Sequence, residues 1–170
     1  GGGAGNTGQS ATRILRKYGT SIMRIICQDA IDGHHVTRTL AFTLLDAIMR
    51  RDNDRTWLQF MSNKGYLKHI LASIELEDGA LIQSLTSTQQ YAHFYVHESR
   101  LAMLNTLARS RQGARALLDN GLIMKLSLAK FISSRPNIQV SATDAGDKAR
   151  QHRYRLLIFP VLRLINTLQT

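Results

Sequence analysis

The sequence predicts an all-α fold, namely an irregular HEAT- or armadillo-like α-solenoid segment made of stacked helix pairs. Apolar residues recur at steps of three and four through most of the chain, and no stretch alternates with period two for long enough to form a strand. Only two prolines, Pro136 and Pro160, interrupt these runs. Two long stretches also resemble each other at a fixed offset of 56 residues. Such internal similarity is typical of helical-repeat proteins.

The internal repeat matches apolar, arginine and glycine positions. A period of 56 residues exceeds the ~40–47 residues of ordinary HEAT or armadillo units, so each unit should contain an extra turn. A single unit cannot bury its apolar face alone, so units stack and expose long side surfaces, which indicates a scaffold or binding surface. The first stretch contains Leu45, Ile48, Arg55, Leu58, Met61, Gly65, Leu67 and Ile70, and the second contains Leu101, Leu104, Arg111, Ala114, Leu117, Gly121, Ile123 and Leu126.

The domain organisation follows from composition and helical spacing. Residues 1–11 hold five of the 12 glycines and no charge, so we predict a flexible linker there. Residues 12–170 should form one solenoid segment of a longer chain, because the sequence lacks an initial Met and stops within an apolar pattern. Its longest internal loop is expected near 133–146. Helices are predicted over 12–30, 34–51, 57–61, 66–74, 81–85, 89–109, 112–118, 122–132 and 147–170.

Several local features refine these elements. Gly65 and Gly121 should each lie just past a helix end with positive φ, and Asp54 should cap the helix at 57–61. Pro160 should kink the last helix. The second helix should bury Val36, Leu40, Leu44, Leu45 and Ile48, whereas the last should expose Ile158, Phe159, Leu162 and Ile165 for further repeats.

The charge is strongly basic and unevenly placed. The formal net charge is +10, and residues 100–170 hold 12 Lys/Arg against three Asp/Glu. This asymmetry indicates an acidic partner, nucleic acid or a membrane surface, or a solvated face whose acidic neighbours lie elsewhere in a longer chain. Arg150, Arg153 and Arg155 in the last helix are the candidate partner-binding residues. An uncharged apolar run of only seven residues follows Arg155, far short of the ~20 needed for a membrane span.

The motifs that carry chemistry elsewhere are weak here. Gly3 to Gly8 matches G-x-G-x-x-G, but no strand precedes it and Gln9 stands where a P-loop has Lys. His93 and His97 share a helix face at a spacing that metals use, yet no third ligand is suggested by spacing. The single Cys27 lies in an apolar helix as a core residue, and it leaves no intrachain disulfide. Trp57 is interpreted as a packing anchor. We predict no catalytic, cofactor or metal residues and no small-molecule substrate.

Several phrases, read in order, resemble a known family. They include Leu40–Asp46, Trp57-Leu58 with Gly65-Tyr66-Leu67, Leu81–Thr86, Tyr95–Ala102, and Gln112-Gly113-Ala114 with Leu117–Gly121. Across residues 12–135 the chain is similar to a segment from the C-terminal half of the large inner-ring scaffold nucleoporins, the family of nucleoporin 205 kDa and fungal nucleoporin 192 kDa.

The resemblance implies a solenoid of the nuclear pore complex in the nuclear envelope that binds linker nucleoporins, supports nucleocytoplasmic transport and catalyses nothing. No contact residue is carried over from it. The alternative function, from composition alone, is a basic helical module that binds nucleic acid, although the resemblance does not favour that partner.

Overall fold

A computed structural model describes residues 4–87, 91–136 and 145–170, and these residues form ten helices. Helices are the one type of regular secondary structure in these residues, which confirms the all-α prediction. In chain order they are α1 (Ala4–Asp32), α2 (His35–Arg50), α3 (Thr56–Asn63), α4 (Tyr66–Leu76), α5 (Asp78–Ser84), α6 (Ala92–Ala108), α7 (Arg111–Asp119), α8 (Leu122–Leu128), α9 (Lys130–Ser133) and α10 (Ala145–Gln169).

The helices form two layers, which confirms the solenoid architecture. In one layer α1 packs on α2, α2 on α6, and α6 on α10; in the other, α4 packs on α8 and α5 on α9. His35 meets His93 near the starts of α2 and α6, and Asp46 accepts a hydrogen bond from Thr106 near their ends. Since these contacts join corresponding ends, α2 and α6 run parallel.

The 56-residue repeat is reproduced in three dimensions. Shifting α2, α3 and α4 by 56 residues places them on α6, α7 and α8 with α9. Gly65 and Gly121 both have positive φ, as predicted. The match is imperfect at Leu67 and Ile123, because the first is fully buried and the second is 52% exposed. The repeat therefore preserves the helix arrangement more closely than the individual core positions.

The core lies between the two layers and contains mainly Leu, Ile, Met and Phe. Cys27 belongs to it, as predicted. The predicted buried face of α2 was wrong for three residues, since Val36, Leu40 and Leu44 are exposed. The helix instead buries Arg38, Ala41, Phe42, Leu45 and Met49. The buried face differs from the prediction because it includes a charged residue, Arg38, which forms an ion pair with Glu77. Apolar periodicity does not reveal such a contact.

Other local predictions differ from the structure at helix ends. Asp52, rather than Asp54, caps α3 by accepting hydrogen bonds from the backbone N–H groups of Trp57 (3.1 Å) and Leu58 (3.0 Å). The helix predicted at 122–132 is divided at Ala129 into α8 and α9. The break is stabilised by Asp78, whose carboxylate accepts the N–H groups at the start of α9, 2.9 Å from Lys130 N and 2.7 Å from Phe131 N.

The predicted linker and loop have different outcomes. Residues 4–11, expected to be linker, are helical and continuous with the rest of α1. A helix that has already formed extends with one further hydrogen bond per residue, so it can continue through glycine-rich sequence. Most of the predicted 133–146 loop, residues 137–144, lies outside the described residues, as do residues 88–90 before α6. Pro160 lies inside α10, and the predicted kink stays a prediction.

Candidate partner-binding surfaces

The three arginines predicted as a partner surface do not share one exposed face. Arg150 and Arg155 are exposed, but Arg153 is buried. Its guanidinium donates to the backbone oxygen of Leu85 at 3.2 Å and lies 5.9 Å from the centre of the Tyr91 ring. Residues two apart on a helix point in different directions, and residues three apart share a face only in part, being about 60° apart around the axis. Here Arg153 points into the protein. Arg153 therefore connects α10 to the end of α5 and to the start of α6, and its role is structural.

A cleft of about 320 Å³ lies beside α10 and includes Arg155. Arginine side chains supply its charge, and no carboxylate lines it among the residues that the structure describes, while its apolar side comes from α10. The chemistry matches a ligand that combines an acidic group with an apolar side chain. The lining residues are Arg135, Pro136, Gln151, Tyr154, Arg155, Ile158 and Phe159.

The outer face of α10 is apolar and continuous with this cleft. Phe159 and Leu162 are 56% and 54% exposed, as predicted, whereas Ile158 and Ile165 are half-buried against the core. A second exposed apolar row, Val36, Leu40 and Leu44, follows α2 at a spacing of four residues. Contiguous exposed apolar patches of this kind are typical of protein–protein interaction surfaces.

A shallow groove of about 300 Å³ separates the exposed sides of α2 and α6. Two carboxylates and several hydroxyl groups line it, but Asp46 is already bound by Arg50 at 3.1 Å and by the hydroxyl of Thr106. The hydroxyl groups of Thr39, Thr43 and Ser99 donate to backbone oxygens of their own helices, so most polar groups of this groove already have partners. Its residues are Thr39, Thr43, Asp46, Tyr95, Glu98, Ser99 and Ala102.

A buried charge cluster joins three of the packed helices. Glu77, between α4 and α5, forms ion pairs with Arg38 of α2 and Arg100 of α6, and Arg100 also donates to the Ser73 hydroxyl at 3.0 Å. Burial alone would raise the pKa of Glu77, but the charges and hydrogen bonds of Arg100 and Arg38 outweigh burial and hold that pKa below its usual value. Because both arginines depend on one carboxylate, the cluster fixes the register between repeats.

The histidine pair of α6 does not converge on a metal site. His97 Nε2 lies 2.9 Å from the backbone oxygen of Leu157 and donates a hydrogen bond to it, because a carbonyl oxygen can only accept, and the ring packs on Phe131. Burial lowers the pKa of His97 to about 4. His93 instead contacts His35. Partial burial lowers the pKa of His93, and the charge of His35 lowers it further. No group of three potential ligands occurs among the described residues.

Two remaining sequence candidates are packing residues. Burial raises the pKa of the Cys27 thiol to about 12, so it lacks the thiolate character of a nucleophile. Trp57 is half-buried and packs beside Gly19 of α1 and Phe60, which agrees with the predicted packing anchor. Within the described ranges, no helix is long and apolar enough to cross a membrane.

Sequence reasoning missed the apolar row on α2 and the cluster around Glu77. The row was misplaced because the exposed and buried stripes of α2 are both apolar, so periodicity cannot choose between them. The cluster joins residues 38, 77 and 100, which have no local spacing in common. The one signal for this cluster in the sequence was Arg38, a basic residue that shares a face of α2 with apolar residues.

Two layers of stacked helices, an internal repeat and apolar outer faces define a helical-repeat scaffold protein. The model of the nuclear pore complex scaffold family, nucleoporins 186/192/205, matches residues 4–169. The chain therefore belongs to this family, and it is a component of the nuclear pore complex in the nuclear envelope. This confirms the resemblance to the family that was drawn from the sequence, and the assignment to the C-terminal half stays a prediction.

Individual relatives agree with the family match. The chain is 34% identical over 165 residues to nuclear pore complex protein Nup205 of Homo sapiens, with 92% of this chain aligned. It is 32% identical over 164 residues to the Nup205 protein of Drosophila melanogaster, with 93% aligned, and 25% identical over 161 residues to that of Arabidopsis thaliana, with 89% aligned. The chain spans about 8% of the length of each of these relatives.

Proposed function

We propose that this chain is a structural segment of the inner-ring scaffold that binds other nucleoporins through its helical-repeat surfaces and so supports nucleocytoplasmic transport. Its role is to support the scaffold and to bind partner proteins, and we assign it no reaction. The proposal is supported chiefly by α10, where exposed Phe159 and Leu162 continue from a cleft flanked by Arg135 and Arg155.

The geometry of α10 suggests the kind of partner. A helical or extended segment of a linker nucleoporin would place apolar side chains on Phe159 and an acidic side chain between Arg135 and Arg155. Apolar contact would supply most of the binding energy, because exposed ion pairs contribute only about 0–1 kcal/mol each. Of the three arginines named from the sequence, Arg155 and the exposed Arg150 stay candidates for such contact.

Co-purification from cells tests this proposal. Full-length protein carrying Phe159→Glu and Leu162→Glu should recover fewer nucleoporins than wild type when the bound proteins are quantified by mass spectrometry. The matched control is Leu76→Glu, since Leu76 is an isolated residue that is 83% exposed at the end of α4. Equal recovery of every nucleoporin by both variants and wild type would show that this face of α10 is not a binding surface.

A further inference from the structure

The turns that follow α2 and α6 form a strongly basic edge of the solenoid. Because α2 and α6 are parallel, the α2–α3 turn and the α6–α7 turn lie side by side at an interhelix distance of about 8–10 Å. The N-terminal half of α1 reaches the same edge, since Gly19 contacts Trp57 at the start of α3. Apart from Arg55, which is half-buried, the cations here are exposed. The basic edge consists of Lys17, Arg51, Arg55, Arg109, Arg111 and Arg115.

Few carboxylates neutralise the basic edge. Asp52 is buried and its oxygens accept backbone N–H groups of α3. Asp54 and Asp119 are exposed, and Asp119 lies 3.6 Å from Arg115 in a pair whose side chains are both largely in solvent. Exposed pairs of this kind are weak. The edge therefore carries an excess of positive charge that attracts acidic ligands.

The backbone of Arg55 gives a second, independent indication. Arg55 has φ 57 and ψ 23, and it is the one non-glycine residue with positive φ in the described part of the chain. This left-handed conformation is costly for a residue with a Cβ, and glycine adopts it freely. The equivalent demand after α3 and α7 is met by Gly65 and Gly121. An arginine held where glycine would be less strained suggests that its side chain has a use.

We propose that the basic edge binds an extended, acidic segment of another protein of the pore. The proposal rests on the proposed function, because it assumes that the partners of this chain are proteins. Arginine binds carboxylates through two parallel hydrogen bonds. An extended chain rises about 3.3 Å per residue, so about three residues separate one basic turn from the next. An acidic residue at every second or third position would therefore meet successive arginines along the edge.

The surface fits a protein segment better than a nucleic acid. Proteins that bind single strands place the backbone in a cationic groove and stack bases on aromatic side chains. The basic edge is a ridge of helix turns rather than a groove. Trp57 is half-buried under α1, and the exposed aromatic side chain within the described part of this edge is Tyr18, beside Lys17 at one end.

Fluorescence anisotropy with a labelled twelve-residue peptide of alternating Glu and Ser tests the proposal on the full-length protein. Replacing Arg51, Arg109 and Arg111 together by Gln should weaken binding about tenfold or more at low salt, and wild-type binding should weaken as salt rises. The matched control replaces three exposed cations that lie outside both the basic edge and the cleft, namely Lys64, Lys68 and Lys148. That control should change the affinity by less than about twofold.

Arg55→Gly keeps the proposal testable if the triple variant folds poorly. It should raise the melting temperature while weakening peptide binding, since it relieves the left-handed strain and removes one cation. Equal peptide affinity of wild type and both edge variants would overturn the proposal. Tighter binding of a 20-nucleotide single strand or of phosphatidylserine vesicles than of the peptide would overturn the choice of an acidic protein segment.

The outcome is separable from that of the proposed function. If full-length protein recovers nucleoporins from cells and the edge variants recover the same set in the same amounts, the basic edge has no such partner, although the scaffold role stands. If no nucleoporin is recovered by wild type, the proposed function fails before the edge is considered.

Discussion

Gly65 and Gly121 lie 56 residues apart in the chain and hold the same left-handed backbone conformation, with φ of 77° and 83°. Each follows a short helix and precedes another, α4 in the first unit and α8 in the second. The shared conformation shows that the repeat is one of backbone geometry as well as of sequence. It also identifies two positions at which glycine is required for its freedom to adopt positive φ.

Gly65→Ala and Gly121→Ala should each lower the free energy of unfolding by about 1–2 kcal/mol, the cost of placing a Cβ in the left-handed region. Steric overlap is excluded as the cause, because a Cβ at Gly121 would meet no atom within 4 Å and one at Gly65 would meet only the His69 ring, at 3.9 Å. Gly79→Ala in α5 is the control, since its Cβ also meets nothing within 4 Å and φ is not positive there. Urea denaturation measures all three, and stabilisation by either turn variant would contradict the repeat alignment.

Gly19→Ala should destabilise the packing of α1 on the first repeat unit. A Cβ at Gly19 would overlap the six-membered ring of Trp57, and overpacking of this kind costs about 1–3 kcal/mol. Trp57→Leu alone should also destabilise, but the double variant should recover part of the loss because the smaller side chain makes room. Strict additivity in denaturation experiments would show that the two residues do not contact each other.

Acidification should destabilise the protein through His97. Its pKa is about 4 in the folded chain, below the ordinary value of 6.5, so the unfolded chain binds a proton at a pH where the folded chain does not. The stabilising contribution is complete above pH 6.5 and is lost as pH falls towards 4, to an extent on the order of 3 kcal/mol. Glu77, whose pKa is also lowered, adds a loss at still lower pH.

Thermal melts across this pH range test the role of His97. His97→Gln should reduce stability at pH 7 but flatten the decline between pH 6.5 and 4, whereas the exposed His152→Gln should leave the profile unchanged. An equally steep decline in His97→Gln would assign the pH dependence to another group.

The isolated 170-residue chain should self-associate or bind a hydrophobic dye, because α10 exposes Phe159 and Leu162. Replacing both by Gln should reduce association measured by sedimentation velocity. The free energy of unfolding should change by no more than about 0.5 kcal/mol, as is usual for surface substitutions. A monomeric wild type that binds no dye would show that this face needs no partner.

Much of the fold could be predicted from the sequence because the pattern that predicts a helix lies within the residues of that helix. Apolar spacing and glycine turns located nearly every helix, and the 56-residue offset paired α2 with α6 correctly. Contacts between distant residues could not be predicted: Glu77 with Arg100, Arg153 with Leu85, and Asp78 with the start of α9. These contacts decide which of two apolar stripes is buried, where α8 ends and which arginine points inward.

The candidate surface shows the same division. The sequence identified the excess of basic charge and α10 as an apolar helix, yet it grouped Arg150, Arg153 and Arg155 by nearness in sequence. In the folded chain Arg153 is buried, and the cations that share a surface come from three different elements. The equivalence of Arg55 and Arg111 in the repeat was the available signal, because equivalent turns of parallel helices lie at one edge.

Cross-linking mass spectrometry of intact pores tests most directly the claim that this segment is a scaffold that binds other nucleoporins. The informative residues are Lys130 of α9 and Lys148 of α10, which are exposed on the two helices packed beside the cleft. We expect both lysines to cross-link to another nucleoporin, and we expect these links to weaken in the Phe159→Glu and Leu162→Glu variant. Links confined to the protein's own chain, unchanged by that variant, would contradict the account.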